Sequence, residues 1–458
     1  MLPRWWFKYH TMRKTLLCIV VGLFSLQPVT GQISRKLDEV VEAYYSMQEF
    51  NGNVLVAKQG KVLLSKSYGY ADLQGKRANT VNTFFSTASI TKTFTSAMIL
   101  KLAEQKKLSL DDRLSKYYPG YNAASGITIA QLLSHTAGID DRAIQEKGKK
   151  YSTDSFTREQ ILLQELSDTP LASTPGATFS YSNRGYLLLG HIISKVTGLS
   201  YEQAIRAYIF KPFKMAGGFD FAGLPLDARA KGYYAETGKD YTRETPLKDS
   251  AETYAAGSIY ATTGDLYAWH KVLQGSAFIS KKSLEKAYTP VQGSYGYGWS
   301  INSQYGKRVV SHSGGFWGFR SNFARIPEDD VCIILLSNNE VPGLDMITKS
   351  LLAVLYDRPY TLPVKKTAVA IDQKLLQRYI GVYEIAEPHL VLEIKLENGG
   401  LVVYPKDGPR AEILALDKTH FFDKEQEGIE LVFSTDDDRE TVTINMNGSS
   451  RIAVKQKP

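Results

Sequence analysis

The apolar positions in the first half of the chain predict helices between β-strands. Short apolar runs at 53–57 and 61–65, joined by a Gln-Gly turn, indicate a β-hairpin. The stretch from about 90 to 102 is apolar on almost every face, which predicts a buried helix. Further helices are expected at 38–48 and through most of 110–250.

The pattern changes back to strands after a helix predicted at 263–274. Strand-like runs follow, and a helix near 343–355 closes the region; the runs lie at 297–301, 308–311, 316–326 and 331–337. Strands that open and close a region, with helices between them, favour one antiparallel sheet flanked by helices. We therefore predict an α+β fold (an α/β sandwich) with a helical insert.

The C-terminal part of the chain has the pattern of a small all-β domain. Short alternating runs recur, separated by Asn-Gly and Asp-Gly turns, at 390–394, 401–404, 413–416, 431–433 and 441–444. Evenly spaced short strands with turn residues predict a small barrel. We therefore divide the chain into four segments: a targeting segment at 1–31, the α+β domain at 32–358, a Pro-containing linker at 359–369, and the barrel at 370–458.

The N-terminus has the pattern of a signal peptide. Arg13 and Lys14 precede an apolar run at 16–26, and small residues follow at 28–31. The run is short for a membrane span, so we expect cleavage and export to the periplasm or the medium. The alternative is an uncleaved segment that anchors the protein in a membrane. Met12 is an alternative start.

Charge and cysteine content narrow the classes of function. The net charge of +8 falls to +4 without the first 31 residues, and no basic run suits a nucleic-acid backbone. Cys18 lies inside the apolar run, so Cys332 has no partner in the mature chain and is expected to be a small buried residue. His389 and His420 lack metal-ligand spacing, and no metal or cofactor is expected.

The first candidate for chemistry is Ser89-Ile-Thr-Lys92, at the start of the predicted buried helix. One helical turn brings Lys92 back to the face that carries Ser89. A serine hydroxyl needs an adjacent base, and burial frees the neutral amine of a lysine by lowering its pKa. The alternative is a helix cap beside a lysine that reaches solvent. A second S-x-x-K, at 283–286, lies on a polar stretch and is interpreted as surface.

Two more segments carry suitable side chains. Tyr181 can relay a proton, or accept one if its pKa is lowered, and Asn183 can bind both Lys92 and a substrate amide. The alternative is a core tyrosine beside a helix cap. The segment 312–315, His-Ser-Gly-Gly, lies between two predicted strands, where an N–H group can complete an oxyanion hole with that of Ser89. The alternative is a Gly-rich turn with a solvated histidine.

Together and in this order, the three motifs resemble the serine β-lactamase and penicillin-binding-protein superfamily, most closely its class C branch with related carboxypeptidases, D-aminopeptidases and esterases. That family has S-x-x-K, then Y-x-N, then a K-T-G-like triplet. Here these are STASITK, FSYSN and SHSGG. The phrases at 132–138, 175–186 and 256–266 are also similar, and the first is interpreted as a structural loop. The resemblance covers residues 38–358.

The resemblance implies a serine hydrolase that forms an acyl-enzyme on Ser89. Lys92 and Tyr181 would be the other catalytic residues, and the side chains or backbone of Asn183, His312, Ser313, Gly314 and Gly315 would bind substrate. The N–H groups of Ser89 and Gly315 would form the oxyanion hole. The β module resembles the lipocalin-like barrels that follow such domains, on the strength of residues 378–383.

One position departs from the family pattern. His312 stands where the family has a lysine, and a histidine is charged only part of the time near neutral pH. Anchoring of a substrate carboxylate should therefore be weaker or pH-dependent, although Ser313 keeps the hydroxyl of the usual threonine. We expect a peptidase acting on D-amino-acid peptides of the cell-wall type. The alternatives are a short-acyl esterase, a weak β-lactamase, or a non-catalytic penicillin-binding-like protein.

Overall fold

A computed structural model describes residues 27–147, 157–235, 241–247, 252–341, 343–364, 366–386, 390–406, 408–424, 429–436, 439–446 and 449–456. The predicted signal segment up to residue 26, and His389, lie outside the described residues. The described chain forms two compact units. The first comprises residues up to 234 together with 244–362, and the second consists mainly of 363–458.

The described residues form helices and strands in the following order along the chain. The α-helices are α1 Gln27–Ser46, α2 Thr91–Glu104, α3 Ile129–Leu133, α4 Asp141–Glu146, α5 Arg158–Ser167, α6 Asn183–Thr197, α7 Tyr201–Ile205, α8 Tyr254–Gly257, α9 Thr263–Gln274, α10 Lys281–Ala287, α11 Asp345–Leu355 and α12 Gln373–Arg378. The strands are β1 Gly52–Lys58, β2 Lys61–Tyr68, β3 Tyr70–Asp72, β4 Arg77–Ala78, β5 Phe85–Ser86, β6 Tyr233–Tyr234, β7 Arg243–Glu244, β8 Tyr260–Ala261, β9 Ser300–Gln304, β10 Lys307–Phe316, β11 Phe319–Ile326, β12 Val331–Ser337, β13 Gly381–Ile385, β14 Leu390–Glu397, β15 Gly400–Pro405, β16 Ala411–Ala415, β17 His420–Asp423, β18 Glu430–Asp436, β19 Arg439–Met446 and β20 Ser449–Lys455.

The first unit is built on a six-stranded antiparallel sheet with the order β2-β1-β12-β11-β10-β9. Every residue of β12 is buried, and side chains alternate between the two faces of a strand, so both faces must be covered. Helices α9 and α11 both pack on this strand, and α1 packs on α11 and on β2. The prediction of an antiparallel sheet flanked by helices is confirmed.

Helix α2 places the first motif in the core of this unit. It packs against α6 and α8, and it is buried on nearly every face, as its continuous apolar pattern predicts. The ring of Phe94 stacks on Trp269, with centroids 4.6 Å apart, and the indole N–H of Trp269 donates to Thr93 Oγ1. The start of α2, which directly follows the turn that carries Ser89, is therefore fixed by packing in the core.

The second unit is a closed barrel of eight antiparallel strands, in which β13 pairs with β20. Closure pairs every strand on both sides, so the sheet has no open edge. Its interior is filled by side chains: Tyr379 stacks on Phe433 at 4.1 Å, and Tyr383, Phe421 and Val442 are buried around them. The predicted all-β barrel is confirmed. Its Asn447-Gly448 turn lies outside the described residues.

Two predicted boundaries were wrong. Helix α1 begins at Gln27 and not near residue 38. The helical character predicted for 110–250 ends with a π-helical turn at Arg206–Phe210, and the described residues of 211–247 are irregular apart from the short strands β6 and β7. Glycines and prolines between 212 and 225 explain that end, since both residue types interrupt helices.

Candidate active site

Ser89 lies in a single 3₁₀ turn, Ala88–Ile90, between β5 and α2. Ala88 has a left-handed backbone (φ 46°), which is uncommon for a residue with a side chain. Thr87 fixes this turn, because its N–H and its hydroxyl both donate to Ile259 O, at 3.0 and 2.7 Å. The neighbouring structure therefore keeps Ala88 in this unfavourable backbone conformation. Such conformations are common next to functional residues.

The amine of Lys92 is buried beside this serine. Its Nζ lies 3.0 Å from Ser89 Oγ, 2.8 Å from Asn183 Oδ1 and 2.8 Å from Ala256 O. The last two atoms only accept hydrogen bonds, so a neutral amine gives them its two N–H groups and keeps its lone pair for the Ser89 hydroxyl. Burial lowers the pKa of Lys92 to about 7, and Asp141 opposes this shift. Lys92 is thus placed and tuned to accept a proton.

Tyr181 flanks the serine on a second side. Its hydroxyl donates to Ser89 Oγ at 3.0 Å. Burial raises the pKa of Tyr181, and the carboxylate of Asp141 adds to the rise. The lowered pKa that would let Tyr181 accept a proton is therefore absent, although the hydrogen bond with Ser89 opposes the rise. Tyr181 is therefore suited to donate a proton in this site, and Lys92 is suited to accept one.

Asp141, at the start of α4, holds the segment that carries Tyr181 and Asn183. Its carboxylate accepts from the Ser182 hydroxyl and from the Asn183 N–H, both at 2.6 Å, and from the Arg184 N–H at 3.3 Å. A carboxylate at the N-terminus of a helix, here α6, is favoured by the helix dipole. Asp141 is a positioning residue that sequence reasoning missed.

His135 packs behind Tyr181. The two rings are 4.3 Å apart, and His135 Nδ1 accepts the Ser182 N–H at 3.1 Å. Burial holds the pKa of His135 well below its usual value, so this histidine is neutral. His135 belongs to the segment 132–138, which the sequence predicts to be a structural loop. The structure places that loop against the site, where it supports the tyrosine and contacts no reacting atom.

The third motif does not form a turn. Residues 312–315 lie within one continuous strand, β10, and the hairpin turn comes later, at Trp317-Gly318. Pairing with β9 ends at Ser311, so beyond it this side of β10 is an edge in the described chain. The alternative of a solvated His312 is wrong, because its side chain is buried. The edge backbone is therefore free to bind a substrate alongside Ser89.

His312 is neutral in this site. Its Nδ1 lies 2.7 Å from Ser313 O, a pure acceptor, so Nδ1 carries the proton and Nε2 accepts from the Tyr295 hydroxyl at 2.9 Å. Burial lowers the pKa of His312 to about 3, and the nearby Lys92 contributes. The expected pH-dependent charge near neutral pH is therefore wrong. His312 supplies no cation for a substrate carboxylate.

Gly314 and Gly315 lack side chains where the backbone of β10 lies close to neighbouring groups. A Cβ on Gly314 would collide with Thr87 O and would lie 2.5 Å from Ser321 Oγ and 3.0 Å from Ser89 N. A Cβ on Gly315 would lie on the other face of the strand, 3.0 Å from a guanidinium nitrogen of Arg320. The backbone of β10 therefore lies directly against the 3₁₀ turn Ala88–Ile90, which carries Ser89. This contact is consistent with an oxyanion hole shared by Ser89 and Gly315.

Gly314→Ala should lower turnover of a nitrophenyl ester about 10²-fold, because the new methyl group must push the backbone at Ser89 out of position. Steady-state kinetics with a melting curve measures this change. The matched control is Gly120→Ala, where the added methyl would meet open space and activity should stay within twofold of wild type. Full activity in Gly314→Ala would show that β10 does not set the position of Ser89.

Other candidates are placed away from this cluster. Ser283, on α10, donates to Glu104 at the end of α2, and Lys286 is exposed, so the second S-x-x-K lies on the surface as predicted. Cys332 is a free, fully buried thiol whose pKa is raised by burial, also as predicted. Among the described residues, no cluster of ligating side chains suits a metal ion, and no helix is both long and apolar enough to cross a membrane.

The Beta-lactamase family model matches residues 37–357. The chain belongs to the β-lactamase family. The resemblance of the three motifs is thereby confirmed, and as a β-lactamase-family protein in which Ser89 contacts Lys92 and Tyr181, the chain is a serine hydrolase. The match leaves the C-terminal barrel outside the family domain.

Similar proteins support the same family and fold. The chain is 29% identical over 449 residues to "Penicillin-binding protein 4*" of Bacillus subtilis (strain 168), covering 92% of this chain and 99% of the relative. The structure of the octameric penicillin-binding protein homologue from Pyrococcus abyssi aligns with TM-score 0.65 and 24% identity, over 91% of this chain and 99% of that one. D-amino acid amidase from Ochrobactrum anthropi SV3 aligns with TM-score 0.61 and 21% identity, over 71% and 99%. The two structural alignments show the shared fold.

Proposed function

We propose that the chain is an exported peptidase that acts on peptides containing D-amino acids, of the kind found in cell walls. The observation that carries the proposal is the protonated phenol of Tyr181, 3.0 Å from Ser89 Oγ. An amine is a poor leaving group until its nitrogen is protonated, whereas a nitrophenolate leaves without help. A tyrosine kept protonated beside the nucleophile is therefore suited to amide substrates.

The chemistry begins with transfer of the Ser89 proton to the lone pair of Lys92. Ser89 Oγ then attacks the substrate carbonyl, and the oxyanion is stabilised by the backbone N–H groups of Ser89 and Gly315. As the C–N bond breaks, Tyr181 gives its proton to the leaving nitrogen and regains one from the Lys92 ammonium. Water then hydrolyses the ester on Ser89, with Lys92 again as base.

Asn183 is suited to hold an amide substrate. Its Oδ1 accepts from Lys92, which leaves Nδ2 to donate to a carbonyl of the peptide. The names of the similar proteins support D-amino-acid chemistry, since one is a penicillin-binding protein and another a D-amino acid amidase. Because His312 is neutral, we expect binding to depend little on a terminal carboxylate at that end of the site.

Tyr181→Phe tests the proposal. We expect kcat for D-Ala release from a D-Ala-D-Ala peptide to fall about 10³-fold, and kcat for a nitrophenyl ester to fall less than about tenfold. The phenylalanine keeps the ring against His135, so the melting temperature controls for packing. Equal losses on both substrates, or a wild-type protein that cleaves esters and no peptide, would contradict the peptidase proposal.

A short-acyl esterase is the second candidate. The neutral, fully hydrogen-bonded His312 favours it, since a simple ester carries no carboxylate that needs a cation. The same neutrality argues against efficient hydrolysis of β-lactams that carry a carboxylate. Comparing kcat/KM for acetyl and butyryl nitrophenyl esters with that for the peptide ranks the two candidates directly.

A further inference from the structure

A cavity of ≈ 70 Å³ opens beside the turn that carries Ser89, within the first unit. Ser86 lines it, three residues before Ser89, and Ser258 lines it, two residues after the Ala256 carbonyl that binds Lys92. Phe316 and Trp317, which continue β10 beyond Gly315, form another wall. By volume it holds about five heavy atoms, the size of a short side chain.

Arg229 gives this cavity a cation that forms no ion pair with a described carboxylate. The side chain lines the cavity and is only 7% exposed. Its guanidinium lies 5.6 Å from the ring of Phe221, and its Nε donates to Leu224 O at 3.3 Å. Neither terminal nitrogen has a partner among the described residues, and no described carboxylate pairs with it. These terminal nitrogens are not fully buried, so they are open to the cavity and to an anion that enters it.

The other charged residues that line the cavity, Lys231 and Glu244, pair with each other and not with Arg229. Lys231 binds Asp72 at 3.3 Å and Glu244 at 3.1 Å. The carboxylate of Glu244 is therefore paired with Lys231, and it forms no ion pair with Arg229. Burial holds the pKa of Arg229 below its usual value; Glu244 opposes the shift and Arg77 adds to it. Aromatic walls and an unpaired guanidinium together suit a short group that ends in a carboxylate.

The position of the cavity shows which part of a substrate would reach it. Tyr181, the donor to the leaving group, packs with His135, Tyr295 and His312, and none of these lines the cavity. The cavity lies at the Phe316 end of β10, four residues beyond His312 and about 13 Å along the strand. The leaving group therefore lies at the His312 end and the acyl group at the cavity end.

We propose that this cavity, the Arg229 pocket, binds a carboxylate on the side chain of the residue that is acylated onto Ser89. The inference rests on the proposed peptidase function and specifies its substrate: a D-residue with a short acidic side chain. The guanidinium can bind the carboxylate through two parallel N–H bonds, since neither terminal nitrogen has a hydrogen-bond partner among the described residues. The rings of Phe221, Trp317 and Phe319 would exclude water from that pair.

The test compares two peptides that end in the same D-Ala and differ at the preceding residue, D-Glu or the isosteric D-Gln. Wild type should cleave the D-Glu peptide with at least tenfold higher kcat/KM. Arg229→Gln should remove that preference while cleaving the D-Gln peptide within about threefold of wild type. Arg308→Gln, which removes an arginine paired with Glu285 and Glu328 on the surface, should keep the preference. Equal kcat/KM for both peptides in wild type would overturn the pocket assignment.

A binding measurement separates this inference from the proposed function and from any misfolding of the variant. In Ser89→Ala protein, millimolar N-acetyl-D-glutamate should raise the melting temperature, and N-acetyl-D-glutamine should not. Adding Arg229→Gln should abolish the shift, and Arg229→Lys should retain part of it. A shift without peptide turnover would support the pocket and overturn the peptidase. Turnover with no difference between the two ligands would do the reverse.

Discussion

Ser89→Ala should abolish covalent labelling by a fluorophosphonate or a fluorescent penicillin, and turnover of peptides and esters should fall to background. The reason is that no other described hydroxyl has both a buried amine and a phenol at hydrogen-bond distance, as Ser89 Oγ has with Lys92 and Tyr181. Gel fluorescence and mass spectrometry of the intact protein measure the label directly.

The chain contains its own control for this experiment. Ser283 begins a second S-x-x-K, but its hydroxyl donates to Glu104 and its lysine is exposed. Ser283→Ala should therefore label like wild type. Labelling retained in Ser89→Ala, or lost in Ser283→Ala, would remove Ser89 from the nucleophile role. Comparing the two variants therefore shows whether the S-x-x-K sequence is sufficient for labelling or whether its buried surroundings are also required.

Lys92→Met should slow acylation about 10³-fold, because the serine loses its base while the buried stem is kept. Lys92→Arg should be as inactive, since a guanidinium keeps its proton and cannot act as a base. Stopped-flow labelling measures both variants. An arginine variant that keeps more than a tenth of the wild-type rate would show that the site needs a positive charge at this position and not a base.

The pH profile of the wild-type protein completes this prediction. The neutral amine is the active form, and the pKa of Lys92 is about 7, so kcat/KM should rise with pH and level off above about 8. Titration of His312 cannot cause this rise in kcat/KM, because its pKa of about 3 leaves the ring neutral between pH 5 and 9. A profile flat from pH 5 to 9 would contradict the role of Lys92 as base.

The elements that local patterns determine were predicted well. Helix α9 and strand β12 have the predicted bounds, and α2 differs by one or two residues. These segments have a strong apolar pattern of the right period, which depends on residues close in sequence. The barrel was found the same way, although the number of its strands was not. Where the pattern is weak, between 211 and 247, the helical prediction failed.

The components of the site were predicted, but the residues that support them were missed. Ser89, Lys92, Tyr181 and Asn183 come together as the motif order implies. Asp141 and His135 hold them in place from a loop about fifty residues away in sequence. A signal existed in the two adjacent aspartates at the start of α4, since Asp140 caps that helix and frees the second for another partner. The motif alone could not show that the partner was Ser182.

The sequence by itself determined the order of chemical groups along the chain, the buried helix that carries two of them, and the two-part organisation. Only the tertiary structure decided their protonation. The lowered pKa values of Lys92 and His312 and the raised pKa of Tyr181 each depend on burial and on partners distant in sequence. A pKa reflects the free energy of a charge in its surroundings, and those surroundings exist only once the chain has folded.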